Sequence, residues 1–125
     1  MNLIDLTIDN WDEFINQSGK KIIIISNPRC DCNRDVFYDF FNNHNYENLS
    51  VGIMISDIDT RTGQPSRIIN MMNISNILDI INSSPSIIVY DGDEFITAYT
   101  GLDDGSTEDD RPMILSNLIR IMNKI

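Results

Sequence analysis

The pattern of hydrophobic and polar residues along the chain predicts five β-strands. Residues 3–8 alternate apolar and polar side chains, which is typical of a strand with one buried face. Residues 21–26 and 49–55 are apolar without alternation, as in strands that are covered on both faces of a parallel sheet. Asp91-Gly92 is a two-residue hairpin signal, so the segments around it should pair antiparallel. The predicted strands are residues 3–8, 21–26, 49–55, 85–90 and 94–100.

Helical spacing of apolar residues fills the intervals between these strands. Asn10 and Glu13 have the spacing of a capping box at the start of a first helix. A second helix is predicted from about residue 32 to residue 43, a third over residues 67–81 and a last one from Pro112. The order β-α-β-α-β-α-β-β-α predicts an α/β fold with a mixed sheet and helices on both of its faces.

Composition and charge narrow the class of protein. The chain has 125 residues, of which 42% are hydrophobic, and this predicts one folded domain spanning residues 1–125. Its formal net charge is −10, so it lacks the basic surface with which free-standing proteins bind nucleic acids or anionic membranes. Neither a leader peptide nor a membrane span is visible in the sequence. We therefore expect a cytoplasmic protein that binds neither nucleic acid nor membrane.

The two cysteines are the residues best suited to chemistry. Cys30 and Cys32 lie between the predicted second strand and second helix, among polar residues rather than in an apolar core. A helix amino terminus offers unpaired N–H groups and about half a positive charge, which favours the reactive thiolate. Arg29 and Arg34 strengthen this effect, whereas Asp31 and Asp35 oppose it, so the direction of the net shift in the thiol pKa stays open.

A Cys-x-Cys pair can close a small disulfide ring if its Cα atoms come within about 4.4–6.8 Å. Such a ring is strained, and strained disulfides have higher reduction potentials, so the pair should be a comparatively strong oxidant or an isomerase. Two alternatives stay open. The thiols could be inert, or a dimer could share a metal, since two cysteines and His44 cannot supply the four ligands of structural zinc within one chain.

The order of the elements and the residues between them resemble the thioredoxin fold. The dicysteine Cys30 and Cys32 lies at the junction of the second strand and the second helix. Ser84-Pro85 precedes the fourth strand, where thioredoxins hold a cis-proline that faces the active site. The hairpin PSIIVYDGDEFITAYTG and a final amphipathic helix complete a match that covers nearly all 125 residues.

The cysteine motif departs from that of the family. Thioredoxins have Trp-Cys-Gly-Pro-Cys, whereas this chain has Arg29-Cys30-Asp31-Cys32-Asn33. If Cys30 matches the nucleophilic cysteine of the family, the position of its second cysteine is Asn33, one residue beyond Cys32. The tryptophan and the proline of the motif are absent, and isoleucine at positions 22–25 replaces the buried strand aspartate that assists proton transfer in thioredoxins.

The resemblance implies a thiol–disulfide oxidoreductase or isomerase. Cys30 would attack a disulfide of a protein or small-molecule substrate, and Cys32 would resolve the mixed disulfide. No organic cofactor or metal is expected, and electrons would come from a reductase or a small thiol. The substrate-binding residues would be Arg29, Asp31, Ser84 and Pro85.

The departures support a second interpretation, in which the fold is a catalytically inactive binding module whose acidic surface engages a partner protein. Residues 67–81 carry more apolar side chains than one buried face needs, which predicts a surface for a homodimer or a partner. The acidic segment from Asp103 to Asp110 is expected to be a solvated loop. His44 is expected to interact with the carboxyl end of the second helix rather than to take part in catalysis.

Overall fold

Strands and helices alternate along the chain in the order that the sequence predicts. The structure is a computed structural model that describes residues 3–26, 32–55, 72, 74–83, 85–102 and 111–125. The strands are β1 (Ile4–Asp5), β2 (Lys20–Ser26), β3 (Leu49–Ile55), β4 (Ser86–Asp91) and β5 (Glu94–Tyr99). The helices are α1 (Trp11–Ile15), α2 (Cys32–Asn43), α3 (Ile77–Asn82) and α4 (Arg111–Met122). None of these four helices is long and apolar enough to cross a membrane.

The five strands form one mixed sheet in the order β1-β3-β2-β4-β5. The central strand β2 is parallel to β3, with Ser26 opposite Ile55, and antiparallel to β4, with Ile25 opposite Ser86. Strand β1 pairs parallel with β3, and β5 pairs antiparallel with β4. The prediction of a mixed sheet that ends in an antiparallel hairpin is therefore confirmed.

Isoleucine fills the centre of the sheet on both of its faces. The four side chains of Ile22–Ile25 in β2 are fully buried, and each contributes about 1.5–3 kcal/mol by leaving water. Ile22 and Ile24 pack in a cluster with α2 and α4, whereas Ile23 and Ile25 pack with α1 and α3 on the other face. Helices therefore cover both faces, as the continuous apolar run predicts.

Strand β1 is shorter than the sequence predicts. Of the three apolar residues expected on its buried face, Leu6 is buried, but Ile4 is 38% exposed and Ile8 is 41% exposed. The physical reason is that β1 is an edge strand with a neighbour on one side only, and the chain leaves the sheet after Leu6.

The predicted capping box of α1 is wrong. The Asn10 side chain makes no cap hydrogen bond to the helix. Instead its Oδ1 accepts a hydrogen bond from Thr7 N at 2.7 Å, and its Nδ2 donates to Asp5 O at 2.8 Å. The side chain thus satisfies the backbone of the turn between β1 and α1, and it cannot also satisfy the helix.

The hairpin turn lies one residue further along than predicted. Asp91 pairs with Glu94, so the two turn residues are Gly92 and Asp93. Gly92 has a φ of +63°, and glycine at the first turn position is the requirement of a type II′ turn. The fully buried Lys21 holds this turn, because its Nζ donates to Gly92 O at 2.6 Å and also to Gln17 O.

The helix predicted over residues 67–81 is not continuous. Residues 75–76 form a turn, and α3 begins only at Ile77. Ser75 and Asn76 favour turns and helix starts because their side chains compete for backbone hydrogen bonds. Within the described part of this segment, Met72, Ile74 and Ile80 are buried and Leu78 is 50% exposed. The remaining residues of the predicted third helix, and the acidic segment 103–110, lie outside the described residues.

Candidate active site at the carboxyl end of the second strand

Three described parts of the chain lie towards one end of the sheet. Strand β2 ends at Ser26, helix α2 begins at Cys32, and Pro85 lies directly before β4. Because β4 is antiparallel to β2 with Ser86 opposite Ile25, the next position of the register brings Pro85 beside Ser26. The first turn of α2 lies towards the same end, because Arg34 contacts Asp5, and Asp5 is in register with Ile53 of β3, which lies opposite Ile24 of β2. Helix α2 therefore begins, at Cys32, at the end of the sheet where Pro85 lies. The other predicted site residues lie outside the described part of the chain: Arg29, Cys30, Asp31 and Ser84.

Helix α2 places Cys32 at its first residue, where backbone N–H groups have no partner within the helix. The helix is anchored by aromatic residues, since Phe37 and Phe41 are fully buried and Phe40 is 3% exposed. These rings pack against the face of the sheet that carries Ile22. Burial of three aromatic side chains fixes the axis of α2, and with it the position of its amino terminus.

A polar cluster joins the first turns of α2 to β1. Arg34 Nη2 lies 3.1 Å from Asp5 Oδ1 and donates to Tyr38 Oη at 3.1 Å, and the Tyr38 hydroxyl donates to Asp5. Burial raises the pKa of Tyr38, and the hydrogen bond to Asp5 adds to the shift. The sequence analysis counts Arg34 as a cationic neighbour of the thiols, and the structure pairs its charge with Asp5.

The backbone around Pro85 is fixed by a serine that sequence reasoning missed. The fully buried Ser86 has its Oγ 3.0 Å from both Ile80 O and Ser83 O, so its hydroxyl can donate to either carbonyl. Ser83 O also accepts from Gly101 N at 2.7 Å, and Pro85 O accepts from Leu102 N at 3.0 Å. Pro85 itself is buried. The turn that leads into β4 is therefore held on both sides of Pro85.

Ser26 is the second polar residue that the sequence analysis overlooked. Its side chain is fully buried, and its Oγ has no hydrogen-bond partner among the described residues. The alternation along β2 places it on the same face as Ile22 and Ile24, the face that α2 covers.

His44 has a structural role at the other end of α2. Its Nδ1 lies 2.7 Å from Phe40 O, and its ring stacks on that of Phe40 with 4.3 Å between centroids. The interaction with the helix end that the sequence predicts is therefore confirmed. In the part of the chain that the structure describes, no group of three or more His, Cys, Asp or Glu residues could hold a metal ion.

Comparison with solved structures identifies the fold. Oxidised thioredoxin O2 from Arabidopsis thaliana superposes with a TM-score of 0.58 at 14% identity, covering 99% of this chain and 94% of that one. A protein named Trxlp from Edwardsiella tarda gives 0.53 at 10% identity, covering 94% and 97%. A designed protein gives 0.55 at 14% identity, covering 95% and 99%. No protein-family model and no curated protein sequence matches the chain. What the structural likeness shows is the fold, and the chain has a thioredoxin-like α/β fold.

Proposed function

We propose that the protein is a thiol–disulfide oxidoreductase or isomerase that uses Cys30 and Cys32 as its dithiol. The observation that carries the proposal is the position of Cys32 at the first residue of α2, at the same end of the sheet as Pro85. Cys30 is two residues away in the sequence, between the end of β2 and the helix. A thiol near a helix amino terminus is more readily ionised, and the thiolate is the nucleophile in disulfide exchange.

The chemistry proceeds in two exchange steps. In the first step the Cys30 thiolate attacks one sulfur of a substrate disulfide, the substrate S–S bond breaks, and the leaving thiolate takes up a proton. In the second step the Cys32 thiolate attacks the Cys30 sulfur, which forms the Cys30–Cys32 disulfide and releases the second substrate thiol. Two electrons pass from the protein to the substrate. A reductase or a small thiol would return the pair to the dithiol, and the reverse sequence would oxidise a substrate dithiol.

The residues around the pair would orient the substrate. Arg29 and Asp31 flank Cys30 and would adjust its thiolate, while Ser84 and a cis-Pro85 would hold an extended substrate backbone by strand addition. The carbonyl of Pro85 already bonds to Leu102 N, so the backbone of Ser84 is the better candidate for the substrate contact. Ser86 would act as a positioning residue for that turn.

The reduction potential of the pair tests the proposal. The protein would be equilibrated in graded thiol–disulfide buffers, and its free thiols would be counted by alkylation and mass measurement. We expect a reversible two-electron transition between roughly −270 and −120 mV, towards the oxidising end because the ring is small. Absence of a Cys30–Cys32 disulfide at every buffer composition would overturn the proposal.

Two variants separate the roles of the cysteines. Cys30→Ser should abolish turnover of a small disulfide such as bis(2-hydroxyethyl) disulfide. Cys32→Ser should instead accumulate a mixed disulfide on Cys30, detectable as added mass, because the second exchange step is lost. Equal residual activity in both variants would contradict the assigned roles.

One observation favours the alternative of an inactive binding module. The positions of β2 at which a thioredoxin would carry its buried acid are occupied by the fully buried residues Ile22–Ile25. If Cys30 and Cys32 never form a disulfide, the inactive binding module becomes the better account of the function. In that case the Cys30→Ser variant would keep its binding partner.

A further inference from the structure

Strand β5 is an edge of the sheet that the described residues form. Within the described residues it is the last strand in the order, and β4 is the strand with which it pairs. Alternate N–H and C=O groups along an edge strand point away from the sheet and are available to another chain. Strand β5 has six residues, Glu94–Tyr99, which is long enough to template a paired segment.

The edge has few of the features that prevent pairing in natural proteins. Its sequence EFITAY contains neither lysine nor proline. Ile96 is 53% exposed and Phe95 is 37% exposed. The Phe95 ring is held edge-on against Tyr90, with 6.1 Å between centroids, so an ordered apolar contact is already in place. The one irregularity is a bulge, at which Ile96 falls between the pairs that Phe95 and Thr97 make with β4.

The turn at the start of the edge is negatively charged. The hairpin over residues 86–101 contains Asp91, Asp93 and Glu94, all exposed, and no lysine or arginine. Lys20 lies opposite Asp91 on β2, two strands from the open edge, and the Lys21 ammonium is bonded to Gly92 O. Lys21 also attracts Asp93 and Asp91, so the charge of Asp93 is partly offset and Glu94 contributes most to the charge on the open side.

We propose that the outer edge of β5 is a docking strand for an extended segment of a basic partner protein. Backbone hydrogen bonds along the edge would supply affinity, as in other cases of strand addition. Phe95 and Ile96 would select β-branched or apolar side chains, and Asp93 with Glu94 would select lysine or arginine beside the turn. This site goes beyond the proposed thiol chemistry and does not depend on it.

Charge argues against a second copy of this chain as the occupant. In an antiparallel pair of β5 strands, the acidic turn of one copy would lie near the carboxyl end of β5 in the other. That end continues into the sequence LDDGSTEDD at positions 102–110, which is also acidic. In a parallel pair the two acidic turns would lie side by side. Like charges in such positions are destabilising, and each copy carries a net charge of −10.

A synthetic peptide tests the docking strand. The probe is a capped peptide of about eight residues in which valine and threonine alternate and lysine occupies both ends. Alternate residues are N-methylated so that one edge alone can pair, which prevents self-association. A second peptide has glutamate in place of lysine. Binding to the full chain is followed by backbone amide shifts and hydrogen exchange.

The matched variants are Ile96→Lys on the edge and Ile119→Lys on α4, at residues that are 53% and 49% exposed. We expect the lysine peptide to bind, to protect amides within residues 94–100, and to lose at least about tenfold in affinity in Ile96→Lys. Ile119→Lys should change the affinity by less than about twofold, and the glutamate peptide should bind more weakly.

The proposal fails if the lysine peptide does not bind, if it perturbs residues outside β5, or if Ile96→Lys has no effect on its affinity. It also fails if sedimentation shows a dimer that Ile96→Lys dissociates, because β5 would then already be paired. None of these results involves Cys30 or Cys32, so failure here is distinct from failure of the redox proposal.

Discussion

Among the described residues, the cation in the first turn of α2 is paired with one carboxylate, that of Asp5. Asp5 pairs with Arg34, and the side chains of these residues are 65% and 25% exposed. An exposed pair of this kind contributes about 0–1 kcal/mol to stability, so its effect on charge matters more than its effect on folding. Arg34 is two residues after Cys32 in the first turn of α2. Asp5 therefore offsets a cation that would otherwise favour the thiolate.

Substitution of Asp5 should make the thiols more acidic. In Asp5→Asn the Arg34 cation stays in place without its carboxylate, and an uncompensated positive charge favours a nearby thiolate. We expect the pKa of Cys32 to fall, measured as the pH dependence of its alkylation rate by mass spectrometry. Asp12→Asn, an exposed carboxylate on α1 at the opposite face of the sheet, is the matched control. A thiol pKa that rises in Asp5→Asn, or that shifts equally in both variants, would show that Arg34 does not act on this site.

At the scale of elements, the contact between β1 and β3 depends on a glycine. Gly52 lies opposite Ile4, and a Cβ atom built on Gly52 would be 2.6 Å from Leu6 Cδ1 and 2.7 Å from Leu6 Cγ. Leu6 is 7% exposed and Leu6 N bonds to Ile53 O at 2.9 Å. The leucine side chain thus covers the glycine and joins the short edge strand to the core.

Gly52→Ala should lower the free energy of unfolding by about 1–3 kcal/mol, because Leu6 must move to make room. Leu6→Ala should cost about 2–5 kcal/mol, because it leaves a cavity. In the double variant the added methyl group occupies part of that cavity, so the total loss should be smaller than the sum of the single losses. Urea unfolding of the four proteins gives the coupling energy. Simple additivity would show that the two side chains do not compete for the same space.

Some strands and helices could be predicted from the sequence, and others could not. The four buried isoleucines of β2 carried a strong signal, because an unbroken β-branched run of that length is typical of a central strand, and the sheet built on it is confirmed. The break before Ile77 was missed because the polar residues Ser75 and Asn76 were outweighed by the apolar residues around them. Ser26 and Ser86 could not have been found, since serine is common and their importance lies in burial and in contacts between distant segments.

For the whole molecule, alkaline pH tests the burial of ionisable side chains. Burial raises the pKa of Tyr90 to about 12 and raises the pKa values of Tyr38 and Tyr46, whereas burial lowers the pKa of Lys21. A buried tyrosine keeps its proton in the folded state after the unfolded chain has lost it near pH 10, so stability falls as pH rises from about 10 to 12. Lys21 acts in the opposite direction, because the unfolded chain holds its proton up to about pH 10.5 and stability rises towards that value.

Above about pH 10.5 the effect of the tyrosines should dominate and stability should fall, since Lys21 then makes no further contribution. Each new negative charge also adds to a molecule whose net charge is already −10. Tyr90 alone should account for about 2 kcal/mol of the loss between pH 10 and 12. The Tyr90→Phe variant should lose stability less steeply by that amount, measured by urea unfolding at a series of pH values. Tyr99→Phe, at a partly exposed tyrosine of β5, is the matched control and should follow the wild-type curve. If Tyr90→Phe also follows that curve, water reaches the Tyr90 hydroxyl in solution. The packing of α1 and α3 on that face of the sheet would then exclude less water than the structure indicates.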